Sequence, residues 1–163
     1  MTNSLNISEV VSLNYTRLSE SIATQIKKYF PCTDVYNNPK TQDNPTNCFF
    51  INFTSLGYQS ELIGNGDWIE RKIQCQIDYI GRFNTQTIYS DYMTVGDTLL
   101  QCMRDIPYVD ENFNKTVFHV FNKEINYDLS ALHLRFYLLF RGFYTRCPDP
   151  IMQQLTTNIY QKI

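Results

Sequence analysis

Two histidines are the side chains of this sequence best suited to acid–base or metal chemistry. His119 and His133 lie in two segments of alternating apolar residues that are typical of a β-hairpin. A turn near Asn126 places the two imidazoles opposite each other on the outward face of that hairpin. Such a pair could bind a metal ion or share a proton. Two ligands are too few for a metal site, however, and no carboxylate lies at a supporting spacing on either strand. We therefore expect a surface or interface pair.

The five cysteines, an odd number with no C-x-x-C spacing, indicate neither a zinc site nor a redox motif. Cys48 and Cys75 fall in predicted strands, where we expect them to pack as small apolar side chains. Cys147 is the thiol expected to be exposed, and nothing places a histidine beside it for nucleophilic catalysis. Gly64 and Gly66 belong to a turn and not to a phosphate-binding loop. The sequence predicts no catalytic residue, no cofactor and no metal site, and hence no enzyme.

Composition excludes several classes of protein. A chain of 163 residues with 43% hydrophobic, 15% aromatic and 18% charged residues is globular and of single-domain size. The formal net charge of −2 argues against a general nucleic-acid binder. The first twelve residues lack the features of a signal peptide, and the longest apolar stretch, near residues 136–140, is far too short to span a bilayer. We expect reduced thiols and a non-secreted protein with no membrane contact.

Two amphipathic helices are expected to position these residues. Apolar residues at helical spacing predict a first helix from about Asn14, which Pro31 stops. A second helix is predicted from Ile88 to Met103, and it is ended by Pro107.

Strands are predicted from β-branched, aromatic and alternating segments. The final hairpin pairs Phe118 with Leu134 and Val120 with Leu132, so that both apolar sets share one face. The other predicted strands and a projecting hairpin are Val35–Tyr36, Cys48–Leu56, Gly57–Trp68 (the hairpin, with its turn at residues 64–66) and Ile69–Ile80.

The element order is therefore α-β-β-β-α-β-β. Antiparallel strands with one wet face and two helices to cover the other predict an α+β two-layer sandwich, with a mostly antiparallel sheet and both helices on one face. We expect residues 1–13 to form a flexible N-terminal extension and residues 14–144 a single domain. Residues 145–163 are expected to form a C-terminal tail with a short amphipathic helix.

The aromatic content points to contacts between proteins. Twelve tyrosines, eleven phenylalanines and one tryptophan are more than we expect one small core to hold, although a core rich in phenylalanine is the alternative. The tip of the projecting hairpin and the tail helix are the candidate interface, with folding of the tail helix onto its own domain as an equal alternative. Their residues are Leu62, Ile63, Trp68, Ile151, Met152, Leu155 and Ile159.

The order of several segments is similar to a known family. KKYFP at the end of the first helix, NCFFINF, ERKIQCQIDYIG and the closing LHLRFYLLFRGFY together resemble the tail terminator proteins of long-tailed bacteriophages, which are also called tail-to-head joining proteins. The resemblance extends from about Leu18 to Tyr144. It implies a two-layer α/β subunit without catalytic residues, which assembles, typically as a hexamer, on the last ring of a finished tail tube. Such a ring stops tube polymerisation and joins the tail to the connector proteins of the head.

The resemblance also implies the partners. They are further copies of the chain, the tail tube protein and the head–tail connector or neck proteins, with the tail sheath as an additional candidate. DNA would pass through the lumen without specific binding, and a net charge of −2 is compatible with a neutral to acidic lumen. The expected location is the tail–neck junction of the virion, after assembly in the host cytoplasm. The alternatives are another neck or tail ring component, such as a head-completion or tube protein, and a small metal-binding enzyme that uses His119 and His133.

Overall fold

The computed structural model describes residues 13–37, 46–55, 59–61, 68–81 and 88–143, and it confirms the predicted α+β class. Two strands, β3 and β5, are added to the predicted order. The elements are α1 Tyr15–Tyr29, β1 Asp34–Tyr36, β2 Cys48–Ser55, β3 Gln59–Glu61, β4 Trp68–Ile80, α2 Ile88–Cys102, β5 Ile106–Val109, β6 Lys115–Tyr127 and β7 Leu132–Phe143.

The seven strands form one sheet in the order β1-β2-β4-β7-β6-β5, with β3 paired to β4. All neighbouring strands are antiparallel except β1 and β2, which are parallel. The central pair is β4 and β7, whose register extends from Trp68 opposite Phe143 to Tyr79 opposite Leu132. The sheet therefore has β1 at one margin and β5, with the adjoining part of β6, at the other.

Helix α1 forms where the apolar spacing predicts it. The side chain of Asn14 caps its start by accepting a hydrogen bond from the backbone N–H of Arg17 at 3.2 Å. Leu18, Ile22 and Ile26 form a fully buried stripe. The helix ends at Tyr29, just before Pro31.

The core lies between the two helices and the inner face of the sheet. Alternate residues of β4, among them Ile73, Cys75 and Ile77, are fully buried, whereas their neighbours on the outer face are mostly half-buried and polar. Strand β7 alternates in the same way and contributes Leu134 and Phe136 to the core. Within the described residues, no helix is long and apolar enough to cross a membrane.

The predicted role of Pro107 as the end of α2 is wrong. The helix ends at Cys102, and Pro107 lies exposed in β5 at the edge of the sheet, where the missing N–H costs no ladder hydrogen bond. The end of α2 is instead capped by Lys123 of β6. Its Nζ donates to the carbonyl oxygens of Leu100 and Met103 at 2.8 and 3.1 Å.

The predicted register of the last hairpin is also wrong, although both apolar sets do share one face. Val120 pairs with Leu138 and not with Leu132. The turn follows Tyr127 and is closed by Asp128, whose Oδ1 accepts from the backbone N–H groups of Ser130 and Ala131 at 2.7 and 3.0 Å.

A bulge in β6 adds to this shift of register. One extra residue is inserted between Phe121 and Glu124, next to Asn122, whose φ is 50°. Leu134, the partner predicted for Phe118, lies opposite Ile125 instead. On the other edge of β6, Phe118 pairs with Ile106 of β5, a strand that the sequence analysis missed.

Candidate functional site

The two histidines lie apart in the structure. His119 is opposite Leu139, and His133 is opposite Asn126, so the predicted facing pair is wrong. Each imidazole has its own acidic partner, and for His119 this is Asp105 at 2.8 Å with both side chains exposed. A metal-binding enzyme built on a facing histidine pair is therefore not supported.

His133 bridges two strands and a turn. Its Nδ1 lies 2.6 Å from Oδ1 of Asp78 on β4, and its Nε2 lies 3.1 Å from Oδ2 of Asp128 in the β6–β7 turn. The sequence analysis considered only carboxylates on the two strands of the hairpin. The acidic partners of His133 come instead from the neighbouring strand β4, which carries Asp78, and from the turn, which carries Asp128. Burial of the imidazole opposes its charge, but the hydrogen bonds to both carboxylates raise the pKa of His133 above its ordinary value.

The hydrogen bonds of this cluster hold the β6–β7 turn in place. The hydroxyl of Ser130 is the main cause of a lowered pKa of Asp128, with His133 and two backbone N–H groups adding to the effect. Over the described ranges, no group of three or more His, Cys, Asp and Glu side chains could hold a metal ion. The cluster instead fastens the last turn to the centre of the sheet.

None of the four cysteines within the described residues forms a disulfide there. Cys48 and Cys75 are buried in strands, as predicted, and Cys102 is buried at the end of α2, whereas Cys32 is exposed. Burial raises the pKa of all three buried thiols, that of Cys102 to about 11. Thiols held in the protonated form are poor nucleophiles. Cys147 lies outside the described residues.

Of the seven interface residues predicted from the sequence, only Trp68 lies within the described residues. The hairpin before β4 is confirmed by the pairing of β3 with β4, from Gln59 opposite Arg71 to Glu61 opposite Ile69. Trp68 begins β4, but only its backbone is described. The remaining candidates lie outside the described residues and stay predictions: Leu62, Ile63, Ile151, Met152, Leu155 and Ile159.

One surface of exposed apolar side chains lies where α2 packs beside β6. We call this surface the α2–β6 groove, a cavity of about 320 Å³ lined by Tyr92, Met93, Gly96, Asp97, Leu100, Ile125, Tyr127 and Leu132. Met93 is 64% exposed, and Tyr89 at its rim is 56% exposed. The Tyr127 ring packs 5.5 Å from that of Tyr89 and 6.2 Å from that of Tyr92. The groove is therefore a mostly apolar surface that is open to solvent.

Beside the groove, β6 has an edge that no other strand of the described residues pairs with. Strand β5 pairs only with residues Lys115 to Phe118 of β6. From His119 to Tyr127, the only strand that pairs with β6 in the described part of the chain is β7. Backbone N–H and C=O groups on an uncovered edge are a template for pairing with another strand.

Strand β1, the last strand at the other end of the sheet order, also carries an exposed aromatic side chain. Tyr36 of β1 stacks on Phe50 of β2 with ring centroids 5.4 Å apart and is itself 37% exposed. Tyr29, at the end of α1, is 48% exposed and follows Lys27 and Lys28.

Two further exposed side chains mark the two ends of β6. Phe113, in the turn before β6, is 83% exposed, and Leu129, in the turn after it, is 79% exposed. A strand of thirteen residues separates these turns by about 40 Å. Phe113 has a φ of 65°, an unusual backbone conformation for a bulky residue.

The turn that carries Phe113 is rigidly held. The carboxylate of Asp110 is fully buried and accepts hydrogen bonds from the backbone N–H groups of Asn112 and Asn114, each at 2.8 Å. Glu111 in turn accepts from the side-chain amide of Asn14 at the start of α1, at 2.6 Å. The exposed phenyl ring is thus displayed from an ordered support.

The apolar contact residues on α2 and in the β6 turns were not singled out from the sequence. Phe113 and Leu129 stand among polar turn residues, and an apolar residue in a turn is the signal that could have indicated them. Met93 lies in a predicted helix, where its exposure depends on how α2 is rotated against β6.

The comparison with known proteins agrees with the resemblance noted in the sequence. A family model described as phage tail terminator protein matches residues 17–150, a range that includes every strand and most of α1. No curated protein matches the chain. Because the family model covers most of the sequence, this chain belongs to the phage tail terminator protein family and is a structural protein of the phage tail.

Proposed function

We propose that copies of this chain assemble as a ring on the completed tail tube, end its polymerisation and join the tail to the connector of the head and neck. Membership of the tail terminator family supports this function. The structural observation that carries it is the display of exposed apolar side chains at both margins and both ends of one ordered subunit. Exposed apolar surface on an ordered frame is typical of protein–protein contact sites.

The two ends of the subunit suit a joining role. A ring between the tube and the connector needs two different end surfaces, one for each neighbour. Phe113 and Leu129 are strongly exposed at opposite ends of β6. We propose that one of these turns contacts the tail tube and that the other contacts the connector.

The ring is proposed to be a homo-hexamer, and the tail sheath is a further candidate partner. The tip residues Leu62, Ile63 and Trp68 are proposed to contribute contacts with neighbouring virion proteins. The tail helix with Ile151, Met152, Leu155 and Ile159 is proposed as a second contact segment. Polar substitutions at these positions are expected to weaken docking and to leave the monomer folded.

DNA is proposed to pass through the lumen without being held. Lysine and arginine contacts with phosphates would give affinity for DNA that falls steeply with salt. With 14 basic and 16 acidic residues, the chain supports a neutral to acidic lumen. We expect the assembled ring to show no measurable retention of duplex DNA in a gel-shift assay at physiological salt. A ring structure with a dense lining of Arg and Lys would contradict this part of the proposal.

Deletion of the gene tests the function directly. Without the protein, electron microscopy of lysates should show tails of abnormal length and unattached heads, and expression of the gene in trans should restore normal particles. Tails of normal length on attached heads would overturn the proposal.

Mass measurement in solution separates the alternatives. Purified protein, alone and with tube protein, should give one closed ring of defined mass. A tube protein would instead polymerise without a defined end, and a head-completion protein would bind isolated heads but not isolated tails.

A further inference from the structure

The α2–β6 groove has the length of a short helix. Its wall on α2 begins at Tyr92 and ends at Leu100, which are eight positions and therefore about 12 Å apart along the helix. Gly96 stands midway along this wall and has no side chain to fill the groove. Met93, also on this wall, is 64% exposed. An amphipathic helix that lays its apolar side into an apolar groove is a common mode of recognition.

The tail of the chain contains a stripe of the same length. Ile151, Leu155 and Ile159 recur every four residues, so a helix over this segment presents them on one side over about 12 Å. The segment lies outside the described residues, and its helix is the one predicted from this spacing. When the stripe is laid along α2 in either direction, Leu155 falls at the middle of the groove, where Gly96 leaves room for it.

Charge favours the tail over the other segments outside the described residues that contain at least two aliphatic residues. Among the residues that line the groove, only Asp97 is charged. Residues 1–12 and residues 62–67 each contain one acid and no base, whereas residues 151–163 contain one base, Lys162, and no acid. Opposite charges favour the pairing of two surfaces, and like charges oppose it.

The length of the linker decides which copy provides the groove. Strand β7 begins at Leu132, which lines the groove, and runs away from it for about 36 Å to Phe143. The near end of a groove about 12 Å long is then about 24 Å from Phe143. Of the eight steps from Phe143 to Ile151, a β-turn that reverses the chain uses three. The remaining five steps span at most about 18 Å, so the stripe does not reach the groove of its own copy.

We propose that the tail of one copy docks as a helix in the α2–β6 groove of the adjacent copy, with Leu155 beside Gly96, and this proposal rests on the ring function proposed above. The tail and the groove are different surfaces, so the contact is heterologous. A heterologous contact repeats from copy to copy and closes into a ring when its rotation permits. In the ring, each tail covers the exposed Met93 of its neighbour.

One substitution on each side of the contact tests the proposal in the full chain. Met93→Asp damages the groove, and Leu155→Asp damages the tail. Each variant alone should need a concentration more than about tenfold higher for half-assembly, measured by analytical ultracentrifugation. An equimolar mixture should stop at pairs of one copy each. The intact tail of the Met93→Asp copy fills the intact groove of the Leu155→Asp copy, and the pair retains one damaged tail and one damaged groove.

A peptide of residues 144–163 measures the contact directly. Labelled with a fluorophore, it should bind the Leu155→Asp chain, whose groove has no intact tail to fill it, and raise the fluorescence anisotropy. The same peptide with Leu155→Asp should not bind. Addition of Met93→Asp to the chain should weaken binding of the unchanged peptide more than about tenfold.

Matched controls separate this contact from general effects of a new carboxylate. Thr94 is exposed on α2 beside Met93 but does not line the groove, so Thr94→Asp should leave assembly unchanged. Gln153 lies between the residues of the stripe, and Gln153→Asp should also leave assembly unchanged. Circular dichroism melts show that each variant is folded.

The outcomes distinguish this inference from the ring function itself. Wild-type rings together with unimpaired assembly of the Met93→Asp and Leu155→Asp variants would overturn the inference and leave the capping function standing, even if the peptide binds. Loss of assembly in both variants without pairs in their mixture would also overturn it. A wild-type protein that remains monomeric on isolated tails would overturn both.

Discussion

His133 of β7 and Asp78 of β4 lie opposite each other in the two central strands, with Nδ1 and Oδ1 only 2.6 Å apart. Asp78 is 5% exposed, so its carboxylate depends on this hydrogen bond and on a second one donated by Gln76 at 2.7 Å. Because His133 also contacts Asp128, the centre of the sheet and the β6–β7 turn are joined through one imidazole.

Stability should depend on pH through His133. The fold raises the pKa of this histidine above its ordinary value of 6.5, so its contribution is complete below that pH and is lost as pH rises through the folded-state pKa. We expect the free energy of unfolding, measured with urea, to decrease between pH 6 and pH 8. His133→Gln, which keeps a neutral donor, should remove this decrease and cost about 1–2 kcal/mol at pH 6.

The acid side of the profile has a separate origin. The pKa of Asp128 is lowered from its ordinary value of 3.8, so its contribution is present above that pH and is lost as pH falls further.

His119→Gln is the matched control for His133→Gln, because His119 and Asp105 are both exposed and such pairs contribute little to stability. A pH profile that is the same in the wild type and His133→Gln would contradict the proposed role of His133.

Removal of the Asp110 carboxylate should destabilise the chain strongly. Asp110 is fully buried and accepts from two backbone N–H groups and from Nδ2 of Asn114 at 3.0 Å. Asp110→Ala leaves these donors unsatisfied, and we expect a loss of about 3 kcal/mol in urea unfolding. Asp110→Asn keeps an acceptor oxygen for the backbone donors and should lose about half as much. Equal losses in the two variants would show that the backbone hydrogen bonds are not the main contribution.

Gly96 packs too closely on β6 to accept a side chain without adjustment. A Cβ at this position would lie 2.8 Å from Cδ1 of Ile125 and 3.6 Å from Cδ1 of Leu132. Gly96→Ala gains helix propensity but displaces the end of Ile125, so we expect a change in stability within about 1 kcal/mol. In an Ile125→Val background the close methyl group is absent, and the same substitution should stabilise by about 0.5–1 kcal/mol. Equal effects of Gly96→Ala in the two backgrounds would contradict this contact.

Phe113 and Leu129 should act on different neighbours. Both are strongly exposed, so Phe113→Ser and Leu129→Ser are expected to leave thermal stability and ring mass unchanged. In complementation of a deletion strain, each variant should lose attachment on one side and keep it on the other. Electron microscopy would then show capped tails without heads for one variant and uncapped tails for the other. Particles of the same phenotype for both variants would contradict the assignment of the two ends.

The periodic elements were predictable because many residues repeat one signal. The stripe of Leu18, Ile22 and Ile26 predicts α1, and the alternation around Ile73 and Ile77 predicts β4. β3 and β5 have only three and four residues, too few to show a period, and β5 also contains a proline. Short strands of this kind are defined by their neighbours more than by their own sequence.

The register of the last hairpin depends on local chemistry that periodicity does not contain. The bulge beside Asn122 inserts one residue and reverses the alternation of β6. Asp128 and Ser130 do provide a turn signal, and greater weight on it than on Asn126 would have placed the turn correctly. The acidic partners of His133 could not be predicted, because Asp78 comes from β4, 55 residues away in sequence.

The hydrogen bonds from Lys123 to α2 have a consequence for the speed of association. They join the last turn of the helix to the strand beside it, so the cleft between them is already shaped before any neighbour arrives. A preformed socket loses little conformational freedom when it is filled. Binding of a partner in this cleft would then be limited by how often correctly oriented molecules collide, and not by a slow rearrangement after they meet.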